Sequence, residues 1–246
     1  YAEAAAGIGW LNVRNPGFAW IGQLGGRHRS NSDASFIDST LVNGLIGFAW
    51  QRRGIYGNAS FETYASARDG DQNENFSGLS MMIGAPLGQS SWHLVGDARL
   101  GALRFDDDLS VMDVDRVLAG LGLVRRFGQG GSVTLQAITG DDSAERPTSP
   151  FGNSKSGMRI AVNALLSPNL SIATSAGSLD SDFDRPFFGL VRNDEQRSVV
   201  IELGWRRSNR LTIAPRLRWT DNDSTVALYD YDRSEVGVAI RYTLGR

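Results

Sequence analysis

Toward the end of the chain, apolar and polar residues alternate with a period of two. Val199, Ile201, Leu203 and Trp205 interleave with Ser198, Glu202, Gly204 and Arg206, and Val200 is the only break. Leu211, Ile213, Pro215, Leu217 and Trp219 interleave with Thr212, Ala214, Arg216 and Arg218. Val236, Val238, Ile240, Tyr242 and Leu244 interleave with Glu235, Gly237, Ala239, Arg241 and Thr243. Successive side chains on a strand point to opposite faces, so each stretch predicts a strand with one apolar and one polar face. The same reading upstream predicts strands over 4–14, 18–26, 41–51, 55–67, 76–86, 92–105, 114–127, 132–141, 157–166 and 170–178, making thirteen. They run to about ten residues or more, against the five or six usual in soluble sheets. No stretch carries the 3.6-residue period of an amphipathic helix.

The connections sort into two kinds. Residues 15–17, 52–54, 87–91, 128–131, 167–169 and 208–209 are short and carry turn-forming Gly, Pro and Asn. Residues 27–40, 68–75, 106–113, 142–156, 179–196 and 222–233 are long and polar, and the two kinds alternate throughout. This predicts an all-β fold, an antiparallel transmembrane β-barrel of the bacterial outer membrane, with tight periplasmic turns and long outer loops. The apolar face then meets lipid. The polar face, carrying Glu62, Asp97, Arg99, Arg159, Glu202, Arg206, Arg216, Arg218, Glu235 and Arg241, lines the lumen. An arginine on the lipid face near the midplane would cost roughly 2–4 kcal/mol, whereas one in a wet lumen costs little. Trp10, Trp20, Trp50, Trp92, Trp205, Trp219 and Tyr242, with Phe127, are expected as interface aromatics, mostly at strand ends. A soluble sandwich or lipocalin-like protein would need a second layer over the apolar face, and no helix is available for it.

Single-chain bacterial barrels have an even number of strands. The loop pattern makes both the first and the thirteenth strand run inward. The expectation is a barrel of about fourteen strands with one strand upstream of Tyr1. Residues 1–246 are thus read as one barrel domain, the C-terminal part of a longer protein.

Composition narrows the function. The 25 basic and 27 acidic residues leave a charge of -2, without the basic excess of a nucleic-acid binder. No cysteine is present, which excludes disulfides and thiol chemistry. Residues 1–9 have neither the basic nor the apolar region of a secretory signal. The longest uncharged stretch, 75–96, contains Pro86 and Gly88 and is no membrane helix.

Catalytic candidates are few. His28 begins a long loop near Asp33 and Asp38, and His93 falls in the lumen register near Asp97. A His–carboxylate pair can serve as a general base, which would make a rim-located hydrolase. With two histidines among many loop acids, chance neighbours are the simpler account, and no enzyme activity, metal or cofactor is expected. Asp180, Asp182 and Asp184 copy three ligand positions of a calcium loop, but Arg185 and Val191 replace the glycine and the bidentate glutamate. The acidic loops are read as solvated, holding divalent cations loosely beside lipopolysaccharide. Arg206, Arg216, Arg218 and Arg241 with Glu202 and Glu235 form either a self-compensated ion-pair lattice or a polar track for an anionic passenger.

Gly237, Ile240 and Tyr242 follow a Gly-x-x-apolar-x-aromatic spacing that resembles the C-terminal signal read by the outer-membrane barrel-assembly machinery. The run Asn222-Asp223-Ser224-Thr225-Val226-Ala227-Leu228-Tyr229-Asp230-Tyr231-Asp232-Arg233-Ser234-Glu235-Val236 resembles the last loop and strand of the surface lipoprotein assembly modifier family. That resemblance implies periplasmic tetratricopeptide repeats before a fourteen-stranded barrel. It also implies a translocator role in surface display or secretion of a lipoprotein or protein client, without covalent chemistry. An exopolysaccharide-export porin or a general diffusion porin is the alternative. Expected partners are outer-membrane lipids, lipopolysaccharide, the assembly machinery and the secreted client.

Overall fold

The structure, a computed structural model, describes residues 2–15, 17–30, 39–68, 71–128, 130–208 and 210–242. For residues 2–6, 14, 15, 27, 29, 30, 68, 71–73, 241 and 242 the description covers the backbone only. The chain folds into β1 (Ala2–Asn15), β2 (Phe18–Ser30), β3 (Ser39–Arg52), β4 (Ile55–Arg68), β5 (Asp71–Pro86), β6 (Trp92–Phe105) and β7 (Val114–Phe127). It continues through β8 (Gly131–Ala144), β9 (Asn153–Ser167), β10 (Leu170–Phe183), β11 (Asn193–Arg206), β12 (Leu211–Ser224) and β13 (Tyr231–Tyr242). These form one sheet in chain order. Every neighbouring pair is antiparallel. β1 and β13 therefore run in the same direction, and among the described residues each has one hydrogen-bonded neighbour. The fold is an antiparallel β-barrel wall. Short 3-10 turns at Asp107–Met112 and Ala227–Tyr229 are the helical pieces among the described residues. Among the described residues no helix is long and apolar enough to cross a membrane.

Burial is inverted relative to a soluble protein. Leu79, Leu121, Leu135, Met158 and Ile160 are exposed, and Leu121 is 61% accessible. The register puts them on one face of the wall, since Leu121 lies between Gly96 and Ala137 while Leu135 lies opposite Leu123 and Ile160. A continuous exposed apolar surface of this extent is the outer face of a membrane barrel.

The strands outrun the sequence reading, and the loops shrink. The connection expected over 68–75 is reduced to residues 69–70 between β4 and β5. Asp141 and Asp142 lie on β8, Asp180 and Asp182 on β10, Asp194 and Glu195 on β11, and Asp221 and Asp223 on β12. Above the lipid both faces of a strand meet water, so polarity no longer alternates while the hydrogen-bond ladder continues. Asp180 and Asp182 consequently sit about 7 Å apart along an extended strand instead of curling into a cation loop. The described residues contain no group of three acids or histidines placed to hold a metal.

One group of aromatic residues gathers on the outer face near the short turns. Phe18 stacks on Phe48 at 5.7 Å, Trp20 meets Phe48 at 6.1 Å, and Phe48 meets Trp50 at 5.7 Å. Arg125 lies over Trp92 and Arg207 over Trp205. Trp10 and Trp219 lie inside their strands, not at the ends. The Tyr242 side chain is outside the described residues.

A small apolar core sits on the inner face. Phe76 (1% accessible) packs with Leu103 and Val114, and Tyr64 stacks on it at 5.3 Å. The ring lies flat on the wall because Gly101 lacks a Cβ, which would fall 2.5 Å from the ring edge. Gly101→Val is expected to cost about 1–3 kcal/mol by overpacking, measured as a lowered urea midpoint in lipid vesicles. An unchanged midpoint would mean that Phe76 can move aside freely.

Candidate functional site

Alternation along each strand sends Glu62, Asp97 and Arg99 to the inner face at mid-height. The Arg99 Nε donates to Glu62 at 2.5 Å, and its guanidinium lies 4.3 Å above the Phe76 ring. The Gln136 amide donates to Asp97, and Ser60 and Ser80 share a hydrogen bond of 3.0 Å. These groups border a shallow recess of about 410 Å³, lined by Asn58, Glu62, Ser80, Met82, Asp97 and Arg99. The recess is polar and holds no nucleophile–base pair.

The opposite stretch of wall, β9 to β13, is richer in arginine. Arg218 faces Glu235 in register at 3.9 Å, and Arg233 also donates to Glu235. Glu202 stands opposite Arg216. Arg206 donates to the Pro168 carbonyl. Arg159 is flanked by Gln136 on one side and Gly177 on the other. The ion pairs among the described residues do not include Arg126, Arg159 or Arg206. The backbone of Arg241 pairs with Thr212, and its side chain is outside the described residues.

Toward the long-loop rim the polar groups are locked together. Arg116 binds Asp142 through two bonds of 2.8 Å, and Lys155 donates to the same carboxylate. Arg192, 8% accessible, is forked onto Asp194 and lies 3.3 Å from the Tyr229 ring and 4.0 Å from Phe183. Phe187 touches both Phe151 and Tyr229, so three outer loops are pinned to one another. Sequence reasoning missed these clusters. Arg116, Asp142 and Lys155 follow the inward parity of their strands, but only the register reveals that they meet.

The histidines form no catalytic arrangement with described carboxylates. His28 pairs with the Thr40 hydroxyl at 2.9 Å. His93 lies beside Tyr56, with ring centroids 5.8 Å apart. Asp97 is four residues further along the same strand, about 13 Å away, and is occupied by Gln136. Asp33 and Asp38 lie outside the described residues. Gly237 and Ile240 lie on β13 in the ladder with β12, and Ile240 is 70% accessible on the outer face.

The sequence matches no family model and no curated protein. Solved structures do match. The outer-membrane-expressed OmpT of Vibrio cholerae aligns over 98% of this chain and 95% of its own, with 7% identity and a TM-score of 0.55. A trimer form of in-vitro folded OmpT from the same organism aligns over 98% and 96%, with 8% identity and a TM-score of 0.51. A bacterial polysaccharide outer membrane secretin aligns over 98% of this chain and 79% of its own, with 14% identity and a TM-score of 0.47. The likeness to the Vibrio cholerae protein, together with the exposed apolar face, makes this chain an antiparallel β-barrel of the bacterial outer membrane.

Proposed function

We propose that the barrel is a passage by which a secreted client crosses the outer membrane, without covalent chemistry. The observation that carries this reading is the exposure of Arg159 and Arg216 on the inner face at mid-height. A guanidinium at that depth requires water around it, so the lumen is wet. The resemblance of residues 222–236 to the surface lipoprotein assembly modifiers favours a lipoprotein or protein client. Residual charge on the lumen wall favours the second reading, an export or diffusion porin.

The test is conductance of the purified protein in a planar bilayer, paired with surface display or secretion in cells lacking the protein. The expected result is ion conductance together with loss of one exported product. A barrel that carries no current and whose deletion leaves every exported product in place would refute the passage reading. Replacing both His28 and His93 by Ala is expected to leave the conductance unchanged. Loss of a measurable hydrolytic activity in that variant would instead establish an enzyme.

A further inference from the structure

The overall charge of the chain is -2, yet the charges are segregated. The acids at the tops of β10 to β13, such as Asp180, Glu195, Asp221, Asp223 and Asp232, share the outward parity of Val199, Leu217 and Trp219. The inner face of β7 to β13 below the rim cluster differs in sign. There Arg126, Arg159, Arg206, Arg216, Arg218 and Arg233 stand against Glu202 and Glu235, six cations to two anions. On β4 to β6 the inner face carries Glu62, Glu74 and Asp97 against Arg99. A lattice that only stiffened the wall would compensate itself, as Arg99 and Glu62 do. Six to two does not.

The arginines are also spread in depth. Arg126 and Arg206 lie at the short-turn ends of β7 and β11. Arg159 and Arg216 lie well inside β9 and β12. Arg206 spends its charge on a backbone carbonyl and Arg126 lies 5.0 Å from the Tyr56 ring, so neither is neutralised by these contacts.

Resting on the passage reading above, we infer that the lumen is an anion-selective path and that its client carries carboxylate or phosphate groups. A guanidinium offers a planar fork to either group. One uncompensated charge within about 7 Å of an ion's path favours the counter-ion about threefold before salt screening.

The experiment is the reversal potential of the purified full chain in a planar bilayer under a KCl gradient. Chloride permeability is expected to exceed that of potassium about threefold or more at low salt, and to fall toward parity at high salt. In the triple variant Arg126→Gln, Arg159→Gln, Arg206→Gln the ratio is expected to fall toward about one. The corresponding Arg→Lys triple variant keeps the charge and should keep the selectivity, which separates loss of charge from loss of fold. Current without anion preference, or a preference that the Gln variant leaves intact, would overturn this inference and leave the passage standing. No current from the unmodified barrel would instead count against the passage itself, and the inference would fall with it.

Discussion

Asp142→Asn is expected to destabilise the barrel by about 3–5 kcal/mol. Asp142 is 4% accessible and holds two cations at once, Arg116 through a bidentate pair and Lys155 through its ammonium. The Lys155 and Arg116 side chains are 11% and 23% accessible. Neutralising the carboxylate leaves two cations side by side with little water to replace it, and such a half-broken buried pair costs far more than an exposed one. The three residues come from β7, β8 and β9, so the loss would loosen three strands at the rim. Urea unfolding in lipid vesicles, followed by the fluorescence of the six tryptophans, measures the effect. A triple replacement of Asp142 by Leu and of Arg116 and Lys155 by Met should recover most of the stability, because it removes charges and partner together. A loss below about 1 kcal/mol for Asp142→Asn would mean that the cluster behaves as an exposed ion pair.

The sequence showed the wall far better than its contents. Alternation such as Leu217 and Trp219 against Arg216 and Arg218 identifies a strand because lipid and lumen demand opposite polarity on successive residues. Where that contrast ends, the signal ends too. Residues 71–75 and 193–196 are polar on both faces and resemble loop in sequence, although they continue the ladders of β5 and β11. The cross-strand contacts were hidden for a different reason. Which residues meet depends on register, and register depends on turn length and on bulges such as that between Leu170 and Ser171. The pairing of Gln136 with Asp97, 39 residues apart, leaves no local trace in either strand. His93 and Asp97 show the converse. They are close in sequence, yet a rise of about 3.3 Å per residue carries them out of reach. Trp10 lies inside β1 with its ring over Gly22, where a side chain would collide with it, a cross-strand fit that only the register reveals.

Ile160→Arg is expected to cost roughly 2–4 kcal/mol in a bilayer, although the residue before it is already an arginine. Ile160 is the middle residue of β9, 45% accessible and paired with Leu135 and Ala176 on the outer face. Arg159 points the other way, between Gln136 and Gly177. One step along the strand therefore separates hydrocarbon from water. Arg159→Gln removes a charge already solvated by the lumen and should change stability by less than about 1 kcal/mol. In a water-soluble protein an exposed isoleucine exchanged for arginine would be nearly neutral, within about 0.5 kcal/mol. The pair of substitutions thus reads the medium on each side of the wall. A costly Ile160→Arg beside a tolerated Arg159→Gln, measured by unfolding in vesicles, is what lipid outside and water inside require. The reverse order would turn the barrel's faces around, and the arginines would then stand in hydrocarbon, where neither a lumen nor an anion path could include them.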